Sequence, residues 1–143
     1  MRMGVLGAGS WGTALAHLLA GRGHVVDLWA FEPEVVEGIN AEHRNPLYMS
    51  DIELPACIAA SGELRAVVEH TEMLFSVVPT QFVRGLLPEV GRHLSLGVPI
   101  VVCSKGIERK SLATMERVFA EELPEQTQAG YCVLSGPSFA AEV

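Results

Sequence analysis

Three features of this sequence predict an α/β protein. A glycine-rich turn, Gly7-Ala8-Gly9-Ser10-Trp11-Gly12, stands directly behind a short apolar run and ahead of a helical pattern. Further apolar runs recur along the chain, continuous instead of alternating, as in strands buried on both faces. Between them lie apolar stripes at helical spacing. Strand and helix signals alternating in this way give a doubly wound, mostly parallel Rossmann sheet with helices on both faces and right-handed crossovers.

The elements follow in order. Met3 to Leu6 reads as the first strand, and the glycine turn leads into a helix whose stripe is Trp11, Ala14, Leu15, Leu18 and Leu19. Gly21 or Gly23 can end that helix with a left-handed cap. Val25 to Trp29 is the second strand, and Pro33-Glu34 opens the next helix. Glu42 to Pro55, with its Pro and Asn residues, reads as irregular. Ile58 to Ala60 is a weak strand, and Ser61 with Glu63 reads as an N-cap with an acidic first turn. Met73 to Val78, Ile100 to Cys103 and Cys132 to Leu134 are the remaining strands. The helices between them carry the stripes Phe82, Val83, Leu86, Leu87, Val90 and then Leu112, Met115, Val118, Phe119.

With 143 residues, 49% of them hydrophobic and 19% charged, the chain reads as one domain, residues 1–143, with a real core. No apolar run approaches the roughly 20 residues of a membrane span, and a strand starting at residue 2 or 3 leaves no room for a signal peptide. A cytoplasmic location is the expectation. A net charge of −7 argues against a nucleic-acid partner, whose phosphates call for a basic face. Cys57, Cys103 and Cys132 are odd in number and widely spaced, so neither disulfides nor a zinc site are expected; Cys103 and Cys132 read as small core residues in strands. His17, His24, His43, His70 and His93 show no ligand spacing, and no metal is expected.

In open α/β sheets ligands bind beyond the carboxyl ends of the strands, so each strand-end loop is a candidate. The turn holding Gly7, Gly9 and Gly12 lets backbone N–H groups approach a pyrophosphate at a helix N-terminus. Glu32 has the spacing of the acid that accepts from an adenosine ribose; equally, it can be a solvated acid opening the next helix. Phe31 can stack on adenine or be an ordinary half-buried aromatic. Neither Ala30 nor Phe31 is a cation to pair a 2′-phosphate, which favours NAD over NADP. Pro79 stops the fourth strand and Phe82 opens a helix, as cofactor neighbours or as a plain helix entry. Lys105 leaves the fifth strand beside Gly106, in a basic run with Arg109 and Lys110. That run is either a solvated face or a site for an anionic substrate. The last strand leaves through Gly136, which permits close backbone approach, and Ser138, which brings a hydroxyl.

Four motifs in order carry a resemblance through nearly the whole chain. They are Gly7 to Ala16, Asn45-Pro46-Leu47-Tyr48 with Leu54-Pro55, Ser104-Lys105-Gly106-Ile107-Glu108, and Leu134-Ser135-Gly136-Pro137-Ser138-Phe139-Ala140 with Glu142-Val143. Together with the Val78-Pro79 turn they resemble NAD(P)-dependent glycerol-3-phosphate dehydrogenases, and the Gly-Pro-Ser form looks like the bacterial branch. The resemblance implies interconversion of sn-glycerol 3-phosphate and dihydroxyacetone phosphate, feeding phospholipid synthesis. It places Ser10 and Trp11 on the cofactor pyrophosphate and Ala140 near the cofactor. Lys105 would contact cofactor and substrate; Gly136 and Ser138 would meet the substrate.

The chain departs from that family at three points. Ser50-Asp51 replaces a frequent Pro-Gly, implying a different turn away from any proposed ligand. Phe31-Glu32 replaces an arginine common in bacterial members, which looks like the NAD-preferring branch. The family's all-helical domain, with the lysine thought to act as general base in a lysine-asparagine motif, has no counterpart within residues 1–143. No catalytic residue is therefore assigned in this chain, which is expected to bind cofactor without turnover, to have a small phosphorylated substrate as its partner, and to self-associate as a homo-oligomer. The competing expectations are a free-standing dinucleotide module and the cofactor domain of another hydroxy-acid or ketopantoate-type dehydrogenase.

Overall fold

The structure, a computed structural model, describes residues 1–124, 130–136 and 140. Its framework is a six-stranded sheet, all parallel. The strands are β1 (Arg2–Leu6), β2 (Val25–Trp29), β3 (Ile58–Ser61), β4 (Met73–Ser76), β5 (Ile100–Val102) and β6 (Tyr131–Val133). The helices are α1 (Ser10–Gly21), α2 (Pro33–Glu42), α3 (Leu64–Val68), α4 (Thr80–His93) and α5 (Met115–Glu122). The sheet order is β3-β2-β1-β4-β5-β6, so the direction of winding reverses between β1 and β4.

The two windings cover opposite faces, and the side-chain alternation of the strands sorts the core accordingly. Met3 and Val5 of β1, Val26 and Leu28 of β2, Ile58 of β3 and Phe75 of β4 pack with Leu15, Ala16, Val35 and Ile39 of α1 and α2. Leu6, Leu74, Ile100 and Val102 face the other way, onto Val67, Val83, Leu87, Val90, Val118 and Phe119 of α3, α4 and α5. Burying both faces removes water from every central strand, which is why those strands read as unbroken apolar runs. Asp27 breaks the run in β2; Arg2 on the neighbouring strand compensates it, donating from Nε at 2.5 Å and from Nη2 at 3.0 Å.

Several expectations need correction. β4 ends at Ser76, two residues early, although Val77 N–H still donates to the Leu6 carbonyl. Ser61 is not an N-cap: Glu63 holds that position in α3, and Ser61 Oγ instead accepts from the Glu63 N–H at 3.0 Å, two residues on. Leu112 lies outside α5, 73% exposed with φ of +56°, because Thr114 caps the helix and starts it at Met115. Leu18 and Phe82 lie off the buried stripes of their helices and are exposed. Val25 is exposed at the amino end of β2, and Cys132 is exposed because β6 is the last strand of the sheet. Cys103 is buried, as expected. Gly23, at φ of +84°, turns the chain out of α1 and donates its N–H to the Ala20 carbonyl.

Among the described residues no helix is long and apolar enough to cross a membrane.

Candidate functional site

The turn after β1 has a shape that steric contact dictates. Gly7 has φ of +108°, a conformation that side chains strongly disfavour, and its N–H donates to the Trp29 carbonyl at 3.0 Å. A Cβ at Gly12 would stand 1.8 Å from the Gly7 carbonyl oxygen, so α1 can start this close to β1 only with glycine there. A Cβ at Gly9 would meet nothing within 4 Å: the space beyond Gly9 is open. Gly9 is also the N-cap residue of α1, and no side chain caps that helix. The first N–H groups of α1 therefore point outward at the positive end of the helix dipole, next to an open approach. These are the features a pyrophosphate requires, and a dinucleotide fits this turn.

The turn is braced from behind by a motif residue to which the sequence assigns no role in the site. Asn45 is fully buried, and its Nδ2 donates to the Ala8 carbonyl and to Thr13 Oγ1, both at 2.8 Å. The Thr13 hydroxyl donates to the same Ala8 carbonyl at 3.2 Å. Asn45 Oδ1 accepts the N–H groups of Leu47 and Tyr48, each at 3.2 Å. The Asn-Pro pair was a turn signal in the sequence; only the fold shows that the turn's side chain grips the glycine loop.

The other strand-end loops converge on the same edge. Phe31 is 81% exposed past the end of β2, which overturns the half-buried alternative. Glu32 takes the N-cap position of α2 without a capping bond, and its Oε1 accepts from the Tyr48 hydroxyl at 2.9 Å. Beyond β4, Pro79 is the N-cap residue of α4, and Phe82 is 66% exposed in its first turn. Ser10 is exposed and Trp11 half-buried at the start of α1.

Lys105 is held at both its backbone and its side chain. The Thr80 hydroxyl donates to its carbonyl at 2.5 Å, and its own Nζ donates to the Gly136 carbonyl at 2.8 Å. Ser104 Oγ, one residue earlier, donates to the Val78 carbonyl at 2.6 Å and so ties the exits of β5 and β4 together. From α4, Gln81 donates to the Ile107 carbonyl and accepts from the Arg109 N–H, both at 2.9 Å. Arg84 grips Glu108 through Nε at 2.9 and 3.0 Å, and reaches Glu121 and Glu122 on α5 at 2.9 and 2.5 Å. The Lys105 loop is thus pinned at several points, while Lys105, Arg109 and Lys110 are all exposed. Gly136, at φ of +152°, lies beside it, and Ala140 is half-buried. Ser138 lies outside the described residues.

The Arg84 guanidinium and then the Ser111 hydroxyl hold the Glu108 carboxyl below the usual carboxylate range. Burial pushes the Cys103 thiol up to about 11. Among the described residues no three His, Cys, Asp or Glu side chains gather as a metal site would require.

A reversed parallel sheet with an open, uncapped glycine turn at the reversal point defines a dinucleotide-binding domain. Comparison with known proteins narrows the class. The family model described as NAD-dependent glycerol-3-phosphate dehydrogenase N-terminus matches residues 2–143, and the chain belongs to that family. The glycerol-3-phosphate dehydrogenase [NAD(P)+] of Nitratidesulfovibrio vulgaris (strain DP4) is 46% identical over 143 residues, covering 100% of this chain and 43% of its own length. Among solved structures, the glycerol-3-phosphate dehydrogenase of Coxiella burnetii superposes with a TM-score of 0.88 at 32% identity, over 99% of this chain and 42% of that one. The enzyme of Saccharomyces cerevisiae gives 0.85 at 28% identity, over 99% and 43%. The chain therefore spans less than half the length of these relatives. Membership of this family sets aside the ketopantoate-type alternative.

Proposed function

We propose that this chain is the cofactor half of a glycerol-3-phosphate dehydrogenase and holds NAD(H) in preference to NADP(H). The observation that carries the reading is the turn at the reversal point, where Gly9 opens onto free space and α1 begins uncapped. Ser10, Trp11 and the backbone of Gly7 to Gly12 hold the pyrophosphate. Phe31, Pro79 and Phe82 flank the nucleotide, Ala140 adjoins it, and Glu32 meets the adenosine ribose. NAD favoured over NADP follows from Glu32 and from the absence of a cation at Ala30 or Phe31.

The bound cofactor supplies or accepts a hydride at its nicotinamide ring, as sn-glycerol 3-phosphate and dihydroxyacetone phosphate interconvert in the cytoplasm for phospholipid synthesis. Lys105, fixed between Thr80 and Gly136, presents its ammonium to a phosphorylated substrate, with Gly136 and Ser138 beside it. The partner is thus a small anionic metabolite, with neither nucleic acid nor membrane involved, and the assembly is a homo-oligomer. The base that takes the hydroxyl proton belongs to the helical remainder of the family's enzymes, and the 143 residues bind without turnover.

Titration with NADH, followed by its fluorescence, tests the reading. Saturable binding with no oxidation in the presence of dihydroxyacetone phosphate is the expected result. No change at millimolar NADH would sink it.

A further inference from the structure

The acid proposed to meet the ribose is itself held. Glu32 lies 20 positions past Gly12, at the carboxyl edge of β2, in extended backbone and without a capping bond to α2. Left alone, such a carboxylate has several rotamers and no fixed aim. Tyr48 gives it one, donating to Oε1 at 2.9 Å. Tyr48 is in turn placed by Asn45, whose Oδ1 accepts its N–H and whose Nδ2 is bonded to Ala8 in the glycine turn. The segment from Asn45 to Tyr48 is therefore a bridge, with one end on the glycine turn and the other on Glu32. Arg44, the cation of the same loop, is committed to the Ser50 carbonyl at 3.0 Å and to Glu53 at 3.7 Å.

We propose that Tyr48 is a specificity-determining residue, setting the choice of NAD(H) over NADP(H) by fixing the carboxylate of Glu32; this rests on the dinucleotide-binding function above. The chemistry is direct. A carboxylate has about four lone-pair sites, and one bond from Tyr48 leaves the others for the ribose hydroxyls. Held in place, its charge opposes a 2′-phosphate; released, it swings to water and the opposition fades. The carboxylate in turn makes the Tyr48 hydroxyl harder to ionise, so the donor stays protonated at neutral pH. Tyr48 is 40% exposed, and replacing its hydroxyl removes one surface oxygen without opening a cavity.

The test is a double-mutant cycle on the 143-residue chain, with NADH and NADPH affinities measured by fluorescence for the wild type, Tyr48→Phe, Glu32→Gln and the double variant. Circular dichroism reports whether each is folded. The wild type binds NADH more tightly than NADPH. Tyr48→Phe lowers that preference by about tenfold, the scale of one hydrogen bond to a charged group, by weakening NADH and relieving NADPH. In the Glu32→Gln background the same change moves the preference less than about twofold, because the coupling has gone. An unchanged preference in folded Tyr48→Phe, or an equal effect of that change in both backgrounds, overturns the inference while NADH binding stands. A wild type that binds both nucleotides equally overturns it together with the proposed NAD preference, leaving dinucleotide binding in place; one that binds neither overturns the proposed function as a whole.

Discussion

At the scale of single residues, the glycine turn separates two requirements that a motif merges. Gly12 serves packing: its Cβ would lie 1.8 Å from the Gly7 oxygen. Gly9 serves no such packing, since nothing in the chain crowds it and its φ of −68° suits any residue, which leaves it to the proposed ligand. Gly12→Ala should cost about 3 kcal/mol, measured by urea unfolding, because α1 must shift bodily. Gly9→Ala should stay within about 1 kcal/mol of the wild type, the loss being that of a poorer N-cap, yet weaken NADH by about tenfold. Equal stability losses in the two variants would contradict the division. Cys103 gives a further prediction. Buried, with its thiol pushed up to about 11, it should resist a thiol reagent at pH 8 while exposed Cys57 and Cys132 react, and all three should react in denaturant. Three fast thiols in the native chain would contradict its placement.

At the scale of elements, the surprise is how the segment between β5 and α5 is held. Sequence periodicity extends the α5 stripe back to Leu112, but the chain there doubles over itself: Glu108 N–H donates to the Ala113 carbonyl and Leu112 N–H to the Glu108 carbonyl, both at 2.9 Å. Arg84 on α4 locks that fold through Glu108, and Ser111 adds a further bond to the same carboxylate. Glu108 has its pKa lowered by folding, so its contribution is complete above the ordinary carboxylate value of 4.5 and is lost as pH falls through the lower, folded value. Glu108→Gln should therefore melt several degrees below the wild type at pH 7, and the gap should narrow as pH is taken toward 3. A gap independent of pH, followed by circular dichroism, would show that the ion pair is not what the variant loses.

At the scale of the molecule, the carboxyl edge of the sheet is apolar as well as open. Phe82, Ile107, Leu112, Val133 and Leu134 are all exposed there or close by, and among the described residues β6 pairs on one side only. Exposed apolar side chains next to a free strand edge favour association. The chain should sediment with a weight-average mass that rises with concentration; a single monomer at all concentrations would exclude this.

What the sequence determined by itself was whatever depends on local pattern. The continuous apolar runs set the strands, the stripes set most helices, and the glycine spacing with Lys105 and Gly136 marked the sheet edge proposed for the ligand. These signals are local because burial and turn geometry act on neighbouring residues. Only the tertiary structure decided what depends on residues far apart in the chain meeting. It brought Asn45 under Ala8, Tyr48 onto Glu32 and Arg84 onto Glu108, 37, 16 and 24 positions apart. A polar side chain in a loop carries no periodicity to announce its partner. Its hydrogen bond is fixed by how the parallel strands and their crossovers stack, and that stacking aims the acid and braces the turn that the sequence could only name.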